Sequence, residues 1–259
     1  MSRDPLSDVK IVESWGKNAL PWTKAVRDGQ IDSRRLITNQ AIVEAVLSRS
    51  PRTVLDLGCG EGWLTRELAA RQIQVTGVDA VPDLIEKAQS AGGGDFRVAS
   101  YEEIAAGKLK ISVDVMVCNF ALLGHKSVEA MFRAAPSLLN AHGALIIQTL
   151  HPIMACGDFP YQDGWREGSW TGFSADFTDP APWYFRTMES WIKLFRDSGF
   201  QLLEVREPVH PKTRKPASVI FIAEVADRVF ALASKPDLRD TDSAQHGVPA
   251  RFTSQPATS

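Results

Sequence analysis

Asp56, Gly58, Gly60 and Gly62 recur at every second position, and Asp79 follows them within one stretch, TVLDLGCGEGWLTRELAARQIQVTGVD, Thr53 to Asp79. Glycines at this spacing, set between a strand and a helix, let the backbone come close to a bound group. The dinucleotide fingerprint G-x-G-x-x-G wraps a pyrophosphate and uses its third glycine to pack helix on strand. Here Trp63 takes the place of that glycine. Asp56 and Glu61 also put negative charge where a diphosphate would be repelled. The same charges favour a ligand whose polar end is cationic, an ammonium beside a sulfonium.

The elements that position these residues follow from apolar spacing. Val54, Leu55 and Leu57 form a short run suited to a buried parallel strand. Leu64, Leu68 and Ala69 predict a helix over Trp63 to Arg71, and Val75 and Val78 a second strand that delivers Asp79 at its C-terminal edge. Open parallel sheets bind ligands at that edge. S-adenosylmethionine has the required polarity.

The segment resembles motif I and the acidic loop of class I S-adenosylmethionine-dependent methyltransferases, of the small-molecule, ubiquinone-pathway type, with the similarity running from about Asn39 to Val225. The resemblance implies an α/β, Rossmann-like fold: a seven-stranded, mostly parallel sheet, helices on both faces, the last strand antiparallel and an aromatic lid inserted after strand five. It also implies S-adenosyl-L-methionine as cofactor. Gly58 and Gly60 would then face the methionine half, with Asp56 in the acidic loop, Asp79 on the ribose hydroxyls, and Ala80 and Val81 flanking the adenine. Ser100 and Tyr101 stand where such enzymes read the adenine edge. Ser100 replaces the aspartate usual there, and with Glu103 it also completes a capping box, a structural role in its own right. A basic side chain of the N-terminal segment, Arg34, would pair with the methionine carboxylate. The alternative for that segment is a solvated basic face anchored by Trp15 and Trp22.

Thr38 to Leu47 has helical spacing, and Pro82 opens another helix that the glycines at 92–94 end. Val113 to Asn119 reads as the fourth strand, bringing Asn119 and Phe120 to the same edge as Asp79 as further expected cofactor contacts. Ala121 and Leu122 stand where methyltransferases of nucleobase amines carry a proline pair, which argues against that class. His125 is a candidate general base, an imidazole being the side chain suited to take a proton near neutrality, or else a cap for the next helix. Ser127 to Leu139 is amphipathic, Asn140 to Gly143 reads as its stop, and Ala144 to Leu150 as the fifth strand. His151, before Pro152, leaves the sheet at the ligand edge and is the second candidate base.

Between 152 and 188 the periodicity gives way to aromatic residues, glycine and acids. A long loop-rich insertion in a compact domain is commonly functional. Tyr161, Trp165, Trp170, Tyr184 and Arg186 are its candidate substrate contacts, although any one ring serves equally well as the insertion's own core. A helix over Glu189 to Ser198 and strands over Leu202 to Val209 and Ala217 to Val225 complete the pattern. The domains expected are a flap, 1–37; a methyltransferase domain, 38–225, with a substrate lid at 152–188; and an extension, 226–259, largely disordered from about 234.

Of 259 residues, 44% are hydrophobic, ample for a core, and the net charge of −2 lacks the basic excess expected of a nucleic-acid binder. Three cysteines without metal spacing and no long apolar run point to a reducing cytoplasmic setting, with a small-molecule substrate and no nucleic acid or membrane as partner. No acidic cluster has the spacing of a magnesium site, so no metal is expected. Oligomeric state and the accepting atom are not encoded legibly. An in-line methyl transfer to oxygen or nitrogen of an aromatic or heterocyclic metabolite is the leading expectation. An NAD-dependent oxidoreductase using Asp79, or a non-catalytic cofactor-binding module, stands against it. Asp79→Ala should weaken S-adenosylhomocysteine binding by at least about 1.5 kcal/mol in calorimetry, because it removes charge-assisted hydrogen bonds; unchanged affinity would count against the assignment.

Overall fold

A computed structural model describes residues 4–226. In chain order it contains α1 (Asp8–Lys17), α2 (Ala19–Arg27), a π-helical turn (Arg34–Thr38), α3 (Asn39–Leu47), β1 (Thr53–Leu57), α4 (Trp63–Ala69), β2 (Gln74–Asp79) and α5 (Pro82–Ala91). There follow β3 (Asp95–Val98), α6 (Tyr101–Ala105), β4 (Val113–Asn119), α7 (Lys126–Ala134), β5 (Leu139–Thr149), α8 (Pro152–Cys156), β6 (Gly164–Arg166), β7 (Trp183–Phe185), α9 (Met188–Asp197), β8 (Phe200–Arg206) and β9 (Val219–Val225). The expected extension at 226–259 lies almost entirely outside the described residues.

Seven strands form one sheet in the order β3-β2-β1-β4-β5-β9-β8, while β6 and β7 pair only with each other. Strands β1 to β5 run parallel, and β9 is antiparallel to both β5 and β8. This is the Rossmann-like sheet expected, with strand order reversing between β1 and β4. The crevice at such a reversal is where ligands bind in open α/β sheets.

Alternation along the central strands divides the core in two. Leu55, Leu57, Met116, Leu145 and Phe221 face α6, α7 and α9 through Ile104, Phe132 and Phe195. Val54, Val115, Ile146 and Ile222 face α3 and α4 through Ile42, Val46, Leu64 and Leu68. Because both faces are covered, the strands read as nearly continuous apolar runs.

Some boundaries shift simply from the sequence reading: the strand read as Leu202 to Val209 is Phe200–Arg206, and the helix read to Leu139 ends at Ala134. Three other departures bear on the ligand edge or the sheet. The helix expected to reach Arg71 ends at Ala69, and Gln72 turns the chain at φ +64°. The fifth strand begins at Leu139, which pairs with Val113 before the register shifts, so Asn140 to Gly143 is an irregular bend within the strand and not a helix stop. His142 makes this possible by adopting φ +62°. Arg34 to Thr38 adds a π-helical turn ahead of the expected helix, which itself begins at Asn39.

Helix α1 is fastened from two directions. At its first turn the Asp8 carboxylate accepts the His125 N–H at 2.7 Å and the Ser127 hydroxyl at 2.8 Å, capping α7 from 117 residues away. Further along, Lys10 and Lys17 bind Asp179 at 2.6 and 2.5 Å, and Asn18 exchanges hydrogen bonds with the Thr178 backbone. The N-terminal helices are thereby joined to the insertion that precedes β7. No helix among the described residues is long and apolar enough to cross a membrane. Asp179→Ala should speed amide hydrogen exchange across α1 and α2 while leaving β1, β4 and β5 protected; unchanged exchange in the two helices would show that these bonds do not hold them.

Candidate functional site

At the C-terminal edge of the sheet, a cavity of about 400 Å³ opens above β1, β2 and β4. Its floor is built by the glycine turn. Gly58 and Cys59 donate to the Val78 carbonyl, which draws the turn toward β2. The Asp79 carboxylate then accepts the Gly60 N–H and the Val81 N–H, each at 2.9 Å. Burial pushes this carboxyl up, and the backbone donors of Val81, Gly60 and Ala80 pull it back down. Gly58 has φ +74°, and a Cβ there would stand 2.3 Å from Ala121 Cβ, so both backbone shape and space demand glycine.

Gly58, Gly60, Asp79, Ala80, Tyr101, Asn119, Phe120 and Arg34 all line the cavity, so most of the cofactor contacts named from sequence converge there. Two do not. Asp56 lies beneath the floor, where its Oδ2 accepts the Thr65 hydroxyl at 2.8 Å and burial raises its pKa to about 7. Ser100 is spent on the capping box of α6, its hydroxyl accepting the Glu103 N–H. Its neighbour Glu102 lines the cavity instead.

Two buried polar atoms in the wall lack a partner among the described residues: Nη2 of Arg34 and Oε1 of Glu61. Arg34 rises from the π-helical turn, with its guanidinium carbon 4.9 Å from the centre of the Trp63 ring and 5.6 Å from that of Trp22. Burial pulls its pKa down to about 10, which leaves it charged at neutral pH. Glu61 holds Arg27 and Arg66 on its Oε2, at 2.7 and 2.6 Å, leaving Oε1 free. A native structure seldom strands buried charge-bearing atoms without a reason. The fold thus leaves one donor on Arg34 and one acceptor on Glu61 buried and unpaired in residues that line the cavity.

The remaining wall is mostly apolar, with Asp8, Ser33, Ser127 and Thr149 among its polar members. Ile11, Val12, Trp15 and Trp22 descend from α1 and α2, Trp170 and Phe173 from the insertion, and Leu123 from the loop after β4. Edge-to-face contacts of Trp15 with Trp22 and with Trp170, at 5.0 and 5.6 Å between ring centres, join the two sides. Sequence reasoning had Trp15 and Trp22 as anchors of a flap but missed Asp8, Ile11, Glu102 and Phe173. No local signal marks Asp8, since its partners belong to a helix far along the chain.

The imidazoles and four of the five candidate substrate contacts are placed otherwise than expected. His125 stacks on Tyr184 with ring centres 3.9 Å apart and sits 3.3 Å from Glu129; it occupies the N-cap position of α7 without a side-chain capping bond. His151 is buried beside Glu207, Nε2 to Oε1 2.6 Å. Neither lines the cavity. Tyr161 accepts the Met188 N–H on its hydroxyl, and Trp165 packs edge-on against Tyr184. Arg186 is buried and donates to the Gly124 and His125 carbonyls at 2.9 and 3.1 Å. These four hold the insertion together and fasten it to the loop after β4, leaving Trp170 as the one named substrate contact at the cavity.

Comparison with known proteins places this geometry. A methyltransferase-domain family model matches residues 32–205. The ubiquinone biosynthesis O-methyltransferase of Xanthomonas axonopodis pv. citri (strain 306) is 36% identical over 203 residues, spanning 75% of this chain and 80% of its own. In fold the chain is similar to the plantazolicin methyltransferase BamL in complex with a triazolic desmethylPZN analog and SAH, with TM-score 0.61 and 17% identity over 86% of this chain and 98% of that one. It is similar as well to the magnesium protoporphyrin IX methyltransferase of Synechocystis PCC 6803 with bound SAM, with TM-score 0.57 and 17% identity over 87% and 99%.

The buried acid under the floor gives a pH test. The folded pKa of Asp56, about 7, exceeds its ordinary value of 3.8, so the folded state holds the proton more tightly and loses stability as pH rises between those values. Chemical denaturation of the ligand-free protein should show Asp56→Asn gaining on wild type as pH rises from about 4 to about 7; a constant gap would contradict it.

Proposed function

Since the chain belongs to the class I S-adenosylmethionine-dependent methyltransferases, we propose that it methylates an oxygen or nitrogen of a small aromatic or heterocyclic metabolite by in-line displacement. The observation that carries this reading is the division of one cavity into a polar end, lined by Arg34, Glu61 and Asp79, and an aromatic end, at Trp15, Trp170 and Phe173. The name of the Xanthomonas relative, an O-methyltransferase of ubiquinone biosynthesis, supports the choice of a ring-bearing acceptor.

When bound, S-adenosylmethionine supplies a methyl group on an electrophilic sulfonium. Arg34 would pair with its carboxylate, and Glu61 would set negative charge behind the wall near its ammonium. Asp79 keeps acceptor capacity for the ribose hydroxyls, since a carboxylate offers about four lone-pair sites and backbone N–H groups do not exhaust them. Ala80 and Val81 flank the adenine, and Glu102 takes the acceptor role expected of Ser100. Gly58 and Gly60 bring the backbone close to the methionine half.

The aromatic residues of α1, α2 and the insertion exclude water and hold a flat acceptor, so the insertion acts as a lid and the N-terminal helices as its counterpart. Such positioning is worth on the order of 7–11 kcal/mol of barrier, more than a general base contributes. His125 and His151 serve in this reading as packing groups behind the wall, and the deprotonation first assigned to them is not part of it.

Mass spectrometry of the protein incubated with methyl-deuterated S-adenosylmethionine and a panel of phenols and N-heterocycles tests the function. A deuteromethylated product on at least one acceptor is expected, and binding of S-adenosylhomocysteine without transfer to any of them would favour the non-catalytic module. For an acceptor that turns over, Trp170→Ala should raise KM at least about tenfold while S-adenosylhomocysteine affinity changes less than about twofold.

A further inference from the structure

Asn119 stands at the end of β4 in the cavity wall, and the direction of its amide is set by residues behind it. Gln148 lies opposite it in the parallel register of β4 and β5 and is fully buried. Nε2 of Gln148 is 3.0 Å from the backbone carbonyl of Thr38. A carbonyl can only accept, so the amide nitrogen must face it. Oε1 correspondingly accepts the Ser218 hydroxyl at 3.0 Å. The second hydrogen on Nε2 is then directed at Asn119, 2.6 Å away, and the atom that meets it must be the acceptor Oδ1. Nδ2 of Asn119 is left as the polar atom without a hydrogen bond to the described residues. The nearby Tyr101 hydroxyl offers no competing donor, because its proton is given to the Ala121 carbonyl at 3.1 Å.

We propose that Asn119 determines specificity by presenting an N–H donor to the substrate's accepting atom, selecting an oxygen that has lost its proton over a neutral amine. A phenolate, an enolate or a carboxylate has that chemistry. The proposal rests on the reading of this cavity as a methyl-transfer site and deepens it. An amine nucleophile keeps its lone pair for the methyl carbon and turns N–H groups to its surroundings, so it needs acceptors. The acceptor of Asn119 is turned into the sheet and occupied. An oxyanion has lone pairs to spare and takes the Nδ2–H, a charge-assisted bond. Proton accounting agrees with the placement of His125 and His151 away from the cavity. The oxygen forms the O–C bond with its own lone pair, the C–S bonding pair returns to sulfur, and no proton remains for the protein to remove.

The test uses the full chain saturated with S-adenosylhomocysteine and two probes of one shape, 4-nitrophenolate and 4-nitroaniline, titrated above the phenol's pKa and followed by absorbance. Wild type should bind the phenolate at least about tenfold more tightly. The side-chain amide resonance of Asn119, identified by its loss in Asn119→Ala, should move with the phenolate and not with the aniline. Asn119→Asp, which puts an acceptor where the donor was, should abolish the preference, and Asn119→Ala should abolish it without adding charge. Thermal melts establish that both variants fold. Equal binding of the probes by wild type, tighter binding of the aniline, binding of neither, or a preference that survives in a folded variant overturns the proposal. Failure to take up S-adenosylhomocysteine overturns the underlying function and this inference with it.

Discussion

The Asp79 carboxylate is the point on which the ligand edge depends. By accepting the N–H groups of Gly60 and Val81 it ties the glycine turn after β1 to the end of β2, so two crossovers are fixed relative to each other before any ligand arrives. A neutral side chain of the same shape would make weaker bonds to those donors, since hydrogen bonds to a charged acceptor are roughly twice as strong. Holding a carboxylate there costs desolvation, visible in its upward pKa shift. The cost is tolerated where the charge has further work to do. Asp56 and Glu61 extend the same pattern, so the glycine turn is surrounded by buried acids, of which Glu61 keeps one oxygen unpaired among the described residues.

Much of the sheet was legible because buried parallel strands have a simple signature. Val54 to Leu57 and Val113 to Asn119 are apolar on both faces and end at turn residues or at the ligand edge. The glycine turn was legible for a related reason: at Gly58 a left-handed φ and the close approach of Ala121 together demand glycine, and Gly60 shares the left-handed φ. Asn140 to Gly143 misled because asparagine, histidine and glycine near a helix end mimic a C-cap, whereas here they form an irregularity inside a strand that had already begun.

The site was legible as far as backbone position decides it. Residues at strand ends, such as Asp79 and Asn119, reach the cavity because topology carries them there. Direction of a side chain is another matter. His125 and His151 both follow the strand ends at the correct edge, yet stacking on Tyr184 and pairing with Glu207 turn their rings elsewhere. Asp8 was missed for the converse reason: its importance lies wholly in the orphan N–H groups at the start of α7, which only the folded chain brings near.

The buried guanidinium of Arg186 has a consequence for how this architecture can change. It reaches from the end of β7 to the Gly124 and His125 carbonyls, so the insertion, the proposed roof of the acceptor site, and the loop after β4 share this fastening. A segment swapped in from a cousin between β5 and α9 would have to supply an equivalent cation or leave two carbonyls stranded. Diversification of what the enzyme accepts is therefore channelled into joint replacement of roof and loop, or into single changes at ring positions such as Trp170 that leave the fastening alone.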